Sequence, residues 1–334
     1  MTLVARSFTS STFHFKFIFN KTIINYTNYK SQFYSKVSAM NAVTNLDEIP
    51  ELCKSNVHVN DKNDLLKKIN LLIADGHKKL QIVTDFDHTL TRHNLDNGDV
   101  VQTSFGMFRE CPSIPQDYKD KEISLANYYK PIEVDSQMKI EEKIKHMIEW
   151  YTKAHDLLKG MKFPRNELEE AGQKMVNSFR IGVSHLLEWS EQTQVPVLVF
   201  SAGLGECVVA ALTSAKLLLP HVKVISNFLD IDDNDIIIGI KGEVIHTYNK
   251  NETVIKNTDY YQKVKERNHV LLMGDNIGDA GMAEGMEHCD VIIKVGFLGR
   301  NTDANLQNYK DKFDIVLVND HTMEVPNSIL KLIL

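Results

Sequence analysis

Apolar residues are concentrated in short runs, and stretches with helical spacing lie between most of these runs. The first run, residues 80–84, follows a segment in which Leu65, Ile69 and Leu72 recur at intervals of three and four residues. This spacing predicts an amphipathic helix, which Gly76 ends just before a buried strand. Later runs predict further buried parallel strands at residues 196–200, 222–225, 269–273, 291–294 and 315–318.

The alternation of strands and helices predicts an α/β fold with a three-layer, Rossmann-like core built on a parallel sheet. Two further runs, residues 236–240 and 244–245, are separated by Lys-Gly-Glu and predict a hairpin appended to that sheet.

The segment from Asn97 to Phe179 does not follow this alternation. After an irregular start it shows helical spacing from Ile140 to Leu158 and again from Leu168 onward, with no strand between these helices. We therefore predict that residues 97–183 form a helical cap inserted into a catalytic core made of residues 47–96 and 184–334.

The charge distribution sets the first 46 residues apart. They contain five basic residues and no acidic residue, whereas the whole 334-residue chain has a net charge of −6. This basic stretch resembles an organelle transit peptide; a disordered tail, or an upstream extension of a product that starts at Met40, explains it equally well. An acidic chain without a run of about 20 apolar residues is expected to bind neither a nucleic acid polymer nor a membrane.

Two acidic residues follow the first predicted strand directly. Asp85 and Asp87 belong to the sequence DFDHT, at the carboxyl end of a strand, where open α/β sheets bind ligands. In the turn beyond the strand one carboxylate can act as a metal-bound nucleophile and the other as a proton donor. A turn rich in Asp with no chemical role is the alternative for this motif taken alone.

Two other predicted strands also end in polar motifs. Ser201, Ala202 and the glycines that follow form a strand-to-helix turn, whose hydroxyl and backbone N–H groups suit an anion; an ordinary serine-capped turn explains it equally well. Asp275 and Asp279 follow the strand at residues 269–273, and paired carboxylates suit an oxygen-seeking cation such as Mg²⁺. Asp279 could also cap a helix.

The order of these motifs along the chain is informative. An acidic pair, a serine, then Lys250 and a second acidic pair form the ordered motif set of the haloacid dehalogenase-like phosphatases, which the chain resembles. More narrowly, it resembles the cytosolic type III 5'-nucleotidases, which act on pyrimidine nucleotides or on 7-methylguanosine monophosphate. The resemblance covers about residues 48–334 and is carried by residues 82–91, 131–135, 149–155, 200–205, 226–228, 241–250 and 314–318.

The resemblance implies a Mg²⁺-dependent hydrolysis of nucleoside 5'-monophosphates. Asp85 is then the nucleophile that forms an aspartyl-phosphate, and Asp87 is the general acid and base. The metal is held by Asp85, the backbone carbonyl of Asp87 and Asp275, and Asp279 supports it through water. The phosphate oxygens are bound by Ser201, by the N–H of Ala202 and by Lys250.

For the base, the resemblance implies contacts with Glu133, Tyr151 and Ala154. Tyr151 matches the pyrimidine branch of the family, whereas Ala154 matches the 7-methylguanosine branch. The preferred base therefore stays open. For Trp150 and Tyr151, a place in the helix core is the alternative to base contact.

Two other functions remain alternatives: a related phosphatase with another small phosphomonoester as substrate, and a non-catalytic nucleotide-binding or phospho-switch relative. The binding relative is expected to lack one of Asp85, Asp87, Lys250 or Asp275, and all four are present. The extra length of the cap and the acid at Asp87 count against the phospho-switch. We expect a cytoplasmic monomer, or a mitochondrial protein if residues 1–46 act as a transit peptide.

Overall fold

A computed structural model describes residues 42–333 except 136, 257, 286–288 and 301. In these ranges it contains nine strands, of which seven form one sheet in the order β1-β9-β8-β7-β2-β3-β4. The strands are β1 (Val57–Val59), β2 (Leu80–Thr84), β3 (Val197–Leu204), β4 (Val222–Asn227), β5 (Leu229–Ile231), β6 (Ile237–Ile240), β7 (His269–Gly274), β8 (Val291–Leu298) and β9 (Ile315–Val318).

Helices connect most of these strands. The α-helices of the described residues are α1 (Lys62–Asp75), α2 (Ser104–Arg109), α3 (Gln116–Val134), α4 (Ile140–Asp156), α5 (Arg165–Met175), α6 (Val183–Gln192), α7 (Gly205–Ser214), α8 (Glu252–Ile255), α9 (Asp259–Val264), α10 (Thr302–Lys310) and α11 (Glu324–Lys331). Short 3₁₀ turns include Ile277–Gly281, directly after β7.

The parallel sheet predicted from the apolar runs is confirmed. Strand β2 lies at its centre, pairing in parallel with β3 on one side and β7 on the other, and Thr84 is opposite both Val199 and Met273. Only β1 is antiparallel within this sheet, where it pairs with β9 along one edge. The carboxyl ends of β2, β3 and β7 therefore meet at one edge of the sheet, where their loops can share a site.

The core has three layers, as expected. Successive strand residues point to opposite faces, and in β2 Ile82 belongs to one hydrophobic cluster while Val83 belongs to another. Helix α1 packs its Leu65, Ile69 and Leu72 into the first cluster, and α9 packs Val264 into the second. Both sheet faces are thus covered by helices, which explains why the strands read as continuous apolar runs.

The segment between β2 and β3 is helical from α2 to α6. Two of its helices, α2 and α3, were not predicted. In α3 the buried positions include a charged residue, Glu122, and a proline lies in the last turn, so no regular apolar spacing marks this helix. In α4 the buried side chains are Lys143, Met147, Ala154 and His155. Ile140, where the predicted helical spacing begins, and Ile148 within it are exposed, so the buried face differs from the one that the spacing indicates.

The predicted hairpin is wrong in its second partner. Strand β6 pairs in antiparallel fashion with β5, which precedes it, and not with residues 244–245. Asp232 closes the β5–β6 turn by accepting hydrogen bonds from the N–H groups of Asn234 and Ile236, a local interaction that favours this pairing. Ile245 is held instead by the side chain of Asn227, which donates to its carbonyl and accepts from its N–H, both at 2.8 Å.

The basic N-terminal segment falls largely outside the described residues, which begin at residue 42. Among the helices in the described ranges, none has the length and apolar character that a bilayer span requires.

Candidate active site

The loop after β2 places two carboxylates at the carboxyl edge of the sheet. Asp85 is buried, and its N–H donates to the Met273 carbonyl of the neighbouring strand at 3.0 Å. The chain then turns tightly, because the N–H groups of residues 89–91 all point at the Phe86 carbonyl. Burial raises the pKa of Asp85 to about 7; Lys250 opposes this rise, and the negative charges of Asp279 and Asp87 add to it.

The second acidic pair lies directly after β7. Asn276 caps the turn that follows, and Asp279 completes this capping box, because its carboxylate accepts the Asn276 N–H at 2.9 Å. Asp279 is therefore not the N-cap itself but its partner. A Cβ atom at Gly274 would lie 2.3 Å from the Cβ of Asp279, so this close approach requires glycine.

Three of the acids form one cluster. Asp85, Asp275 and Asp279 each offer a carboxylate oxygen, and these oxygens lie within 4.8 Å of one another. Burial raises the pKa of Asp275 well above its usual value, and the charges of Asp85 and Asp279 raise it further. The three carboxylates repel one another and offer only oxygen ligands. Such a cluster suits a hard divalent cation such as Mg²⁺.

Lys250 joins the cluster from the loop before α8. Its ammonium nitrogen lies 2.7 Å from Asp85 Oδ1 and 2.5 Å from Asp279 Oδ1, and all three side chains are buried. Burial alone would lower the pKa of Lys250, but Asp279 and Asp85 raise it above its usual value. The cluster thus combines three acids with one fixed cation.

Asp87 is not one of the three clustered acids. Its carboxylate accepts two hydrogen bonds from Ser104 at the start of α2, from the N–H at 2.8 Å and from the hydroxyl at 2.7 Å. Burial raises the pKa of Asp87 to about 6, while the bonds from Ser104 limit the rise. A carboxyl group with this pKa can be protonated near neutral pH, as a general acid must be.

The serine motif follows a longer strand than expected, because β3 continues to Leu204 and α7 begins at Gly205. Ala202 lines the cavity described below, whereas Ser201 is not among its lining residues. The Ser201 hydroxyl is buried and accepts the Gly203 N–H at 3.0 Å.

A cavity of about 560 Å³ joins these groups to the inserted helices. Its lining contains every candidate residue named from the sequence except Ser201: Asp85, Asp87, Glu133, Tyr151, Ala154, Ala202, Lys250, Asp275 and Asp279. Trp150 lines it as well. The structure therefore brings together in space residues that are distributed over nearly 200 positions of sequence.

Glu133 connects the inserted helices to the core. Its carboxylate accepts a hydrogen bond from the Thr247 hydroxyl, and its backbone carbonyl accepts bonds from Tyr248 at 2.6 Å and Lys143 at 2.9 Å. Burial raises the pKa of Glu133, and the bond from Thr247 opposes this rise. The side chain is thus placed both to face the cavity and to hold the helices against the core.

Aromatic rings form one wall of the cavity. Tyr151 meets Phe105 edge to face, with ring centroids 6.2 Å apart, and Trp150 stacks on Tyr129 at 5.7 Å. Sequence reasoning missed Phe105 and Ser104. The available signal was Thr103, which caps α2, but no residue type there indicated a contact with Asp87.

The chain is similar to known proteins over most of its length. Residues 88–334 match the family model described as pyrimidine 5'-nucleotidase (UMPH-1). A Drosophila melanogaster protein named 7-methylguanosine phosphate-specific 5'-nucleotidase is 42% identical over 289 residues, which cover 86% of this chain and 90% of that protein. A Homo sapiens protein of the same name is 32% identical, covering 86% of this chain and 96% of its own length.

The fold also matches a solved structure. The crystal structure of cytosolic 5'-nucleotidase IIIB bound to cytidine superposes with a TM-score of 0.83 and 40% sequence identity, covering 87% of this chain and 97% of that one.

Proposed function

The chain belongs to the pyrimidine 5'-nucleotidase (UMPH-1) family and is a phosphoric monoester hydrolase; on this premise we propose that it hydrolyses nucleoside 5'-monophosphates through an aspartyl-phosphate on Asp85. The substrates we propose are CMP and UMP, 7-methyl-GMP, or both. The observation that carries the proposal is the position of Asp85, a buried carboxylate 2.7 Å from Lys250 and clustered with Asp275 and Asp279 at the end of the central strand.

Asp85 is the nucleophile in this proposal. Its carboxylate attacks phosphorus as the bond to the ribose 5'-oxygen breaks, which gives an acyl phosphate and the nucleoside. Water then cleaves the acyl phosphate and releases inorganic phosphate, so one difficult hydrolysis becomes two easier steps. Lys250 balances charge on the carboxylate and on the transferring group.

Asp87 is the general acid and base. The first step needs a proton for the departing 5'-oxygen, and the second needs a base for the attacking water. Asp87 can serve both because it gives its proton to the 5'-oxygen in the first step and takes one from the attacking water in the second. Its two bonds from Ser104 orient the carboxyl group, and its pKa of about 6 keeps both forms accessible.

The acidic cluster also supports a role for a divalent cation, with Mg²⁺ our choice. Asp85, Asp275 and the backbone carbonyl of Asp87 would hold it, with Asp279 as a further support, and it would neutralise phosphate charge so that an anionic nucleophile can approach. The N–H of Ala202 and the hydroxyl of Ser201 bind phosphate oxygens in this proposal.

Base recognition falls to the residues from the inserted helices, and we assign residues 97–183 as the cap. Tyr151 and Trp150 offer aromatic surface, which binds any base. Glu133 offers a carboxylate that accepts hydrogen bonds from an exocyclic amine or a ring N–H, and it favours the positive charge of 7-methylguanine. Ala154 completes the wall.

One assay tests the proposal. Release of inorganic phosphate is measured with CMP, UMP, 7-methyl-GMP, GMP, AMP and phosphoserine, each with Mg²⁺. We expect turnover of CMP or 7-methyl-GMP and little with phosphoserine. Comparable or faster hydrolysis of phosphoserine would support the alternative of a general small-molecule phosphatase, and no turnover of any compound would support a binding protein.

A further inference from the structure

Two histidines that the proposed chemistry does not use line the cavity beside the acidic cluster. The rings of His88 and His93 are stacked, with centroids 4.2 Å apart and planes inclined by 17°. His88 follows the general acid directly and has a φ of 59°, in the left-handed region that non-glycine residues rarely occupy. Such strain persists only where surrounding contacts hold it.

Those contacts are visible around His88. Its N–H donates to the Thr91 hydroxyl at 2.8 Å, and its carbonyl accepts from Arg180 at 2.6 Å. Its ring Nδ1 lies 3.2 Å from the Arg92 carbonyl, and its Nε2 lies 3.4 Å from an Arg300 guanidinium nitrogen. Backbone and ring are therefore both fixed.

The two ring contacts determine the tautomer. A carbonyl oxygen can only accept a hydrogen bond and a guanidinium can only donate one. Nδ1 must therefore carry the proton and donate to Arg92, which leaves Nε2 as the acceptor for Arg300. The neutral imidazole thus orients the guanidinium.

Arg300 is exposed, follows the carboxyl end of β8 and lines the same cavity as Asp85 and Lys250. Within the described ranges, no carboxylate lies within 4.0 Å of its guanidinium. One of its five N–H donors is directed to His88, and the guanidinium fork is suited to paired phosphate oxygens.

We propose that Arg300 binds the phosphate group of the substrate at the cavity wall and that His88 is a positioning residue, which holds the guanidinium there through Nε2. This inference rests on the proposed function, because it assumes that the cavity receives a phosphate. It adds a second cation to Lys250 and explains why a strained histidine directly follows Asp87.

The test measures phosphate binding apart from turnover. Inorganic phosphate is titrated into the full-length protein with Mg²⁺ in a calorimeter, with cytidine as a phosphate-free probe. Since a charged hydrogen bond is worth roughly tenfold or more in affinity, Arg300→Gln is expected to weaken phosphate binding about tenfold and to leave cytidine binding unchanged. Arg300→Lys should restore part of the loss, because it keeps the charge but not the fork.

A double-mutant cycle tests His88. Asparagine tolerates a positive φ, so His88→Asn is the variant of choice. It is expected to weaken phosphate binding by itself but to cause no further loss in the Arg300→Gln background, because its effect passes through Arg300. Equal losses in both backgrounds would overturn the positioning role.

Two outcomes separate this inference from the proposed function. Suppose that the wild type hydrolyses nucleotides. If Arg300→Gln then binds phosphate normally, or if its affinity for cytidine falls as much as its affinity for phosphate, only the role of Arg300 is overturned. A wild type that hydrolyses no nucleotide, while Arg300→Gln still loses phosphate affinity, would overturn the proposed function and support the phosphate site.

Discussion

Ser104 donates both its N–H and its hydroxyl to the carboxylate of Asp87, at 2.8 and 2.7 Å. The two residues lie on different parts of the protein, Asp87 in the loop after the central strand and Ser104 in the first inserted helix. A carboxyl group held through both oxygens has one orientation, so the insertion positions the proposed general acid as well as covering the site.

Gly203 leaves the space that this contact requires. A Cβ atom there would lie 1.8 Å from the Ser104 hydroxyl oxygen and 3.1 Å from Asp87 Oδ2. We expect Gly203→Ala to displace Ser104 and to lower kcat by roughly 100-fold, the cost of misplacing a catalytic group by about 1 Å. Steady-state kinetics check this, with Gly239→Ala as the matched control, because nothing lies within 4 Å of a Cβ at Gly239. Similar kinetics for the two variants would show that the Ser104 contact is dispensable.

Metal removal tests the acidic cluster. EDTA is expected to stop hydrolysis and added Mg²⁺ to restore it, because three clustered carboxylates repel a phosphate unless a cation is bound. Asp275→Ala should need far more metal or be inactive. A metal titration followed by calorimetry separates lost affinity from lost chemistry. Activity that persists in EDTA would exclude the proposed role of the cluster.

Glu133 has two assignments that a specificity profile separates. If it reads the base, Glu133→Ala should compress the kcat/KM ratios of CMP and 7-methyl-GMP over GMP and AMP by about 1 to 3 kcal/mol. If it mainly holds the inserted helices through Thr247, the kcat/KM values of all substrates should fall by the same factor in Glu133→Ala. Thr247→Val should then have the same effect. Ala154→Ser, which adds one small donor to the wall, is expected to shift the preference only modestly.

His155 predicts a pH dependence of stability. Burial lowers its pKa from 6.5 to about 4, and both ring nitrogens are buried without a hydrogen-bond partner in the part of the chain that the structure describes. Between pH 6.5 and 4 the unfolded chain binds a proton that the folded chain does not, so stability falls as pH falls through this window.

His155→Phe should remove this contribution. Between pH 7 and 5 we expect the free energy of unfolding to fall by about 1 to 2 kcal/mol less in the variant than in the wild type. Urea denaturation at the two pH values measures the difference, with Ile148→Ala, at an exposed position of the same helix, as a control that keeps the wild-type pH dependence. An unchanged pH dependence in His155→Phe would show that His155 is not the titrating group.

The strands and the acids at their ends were predictable because a strand covered on both faces has a nearly continuous run of apolar residues. Asp85 and Asp275 follow such runs directly, so their placement required only the rule that ligands bind where parallel strands end. Strand β1 was missed because it is three half-buried residues at an antiparallel edge, and its pairing with β9 spans about 260 positions of sequence.

Contacts between the inserted helices and the core were not predictable in the same way. Three of these contacts depend on how the helices pack against the core: the wall formed by Phe105, the hydrogen bonds from Ser104 and the contact of Glu133 with Thr247. The residue types near each position do not determine this packing. Helix α3 is an example: its buried face includes Glu122, so no clean apolar period marks it.

Substitution of the two carboxylates in the DFDHT loop separates their roles. Asp85→Asn is expected to abolish turnover, because an amide cannot form the acyl phosphate, while Asp87→Asn should slow it by roughly 10²- to 10⁴-fold, the usual effect of losing a general acid. Circular dichroism should show both variants folded. Near-normal activity of Asp85→Asn would exclude it as the nucleophile.

Trapping the covalent intermediate shows directly whether Asp85 carries the phosphoryl group. The wild-type enzyme is mixed with CMP or 7-methyl-GMP and Mg²⁺, quenched within the first turnovers and treated with borohydride, which reduces an acyl phosphate to an alcohol and leaves free carboxylates intact. Peptide mass spectrometry then locates the reduced residue. We expect conversion of Asp85 to homoserine, dependent on substrate and absent in Asp85→Asn. Reduction at another carboxylate, or no reduction during active turnover, would contradict an aspartyl-phosphate on Asp85.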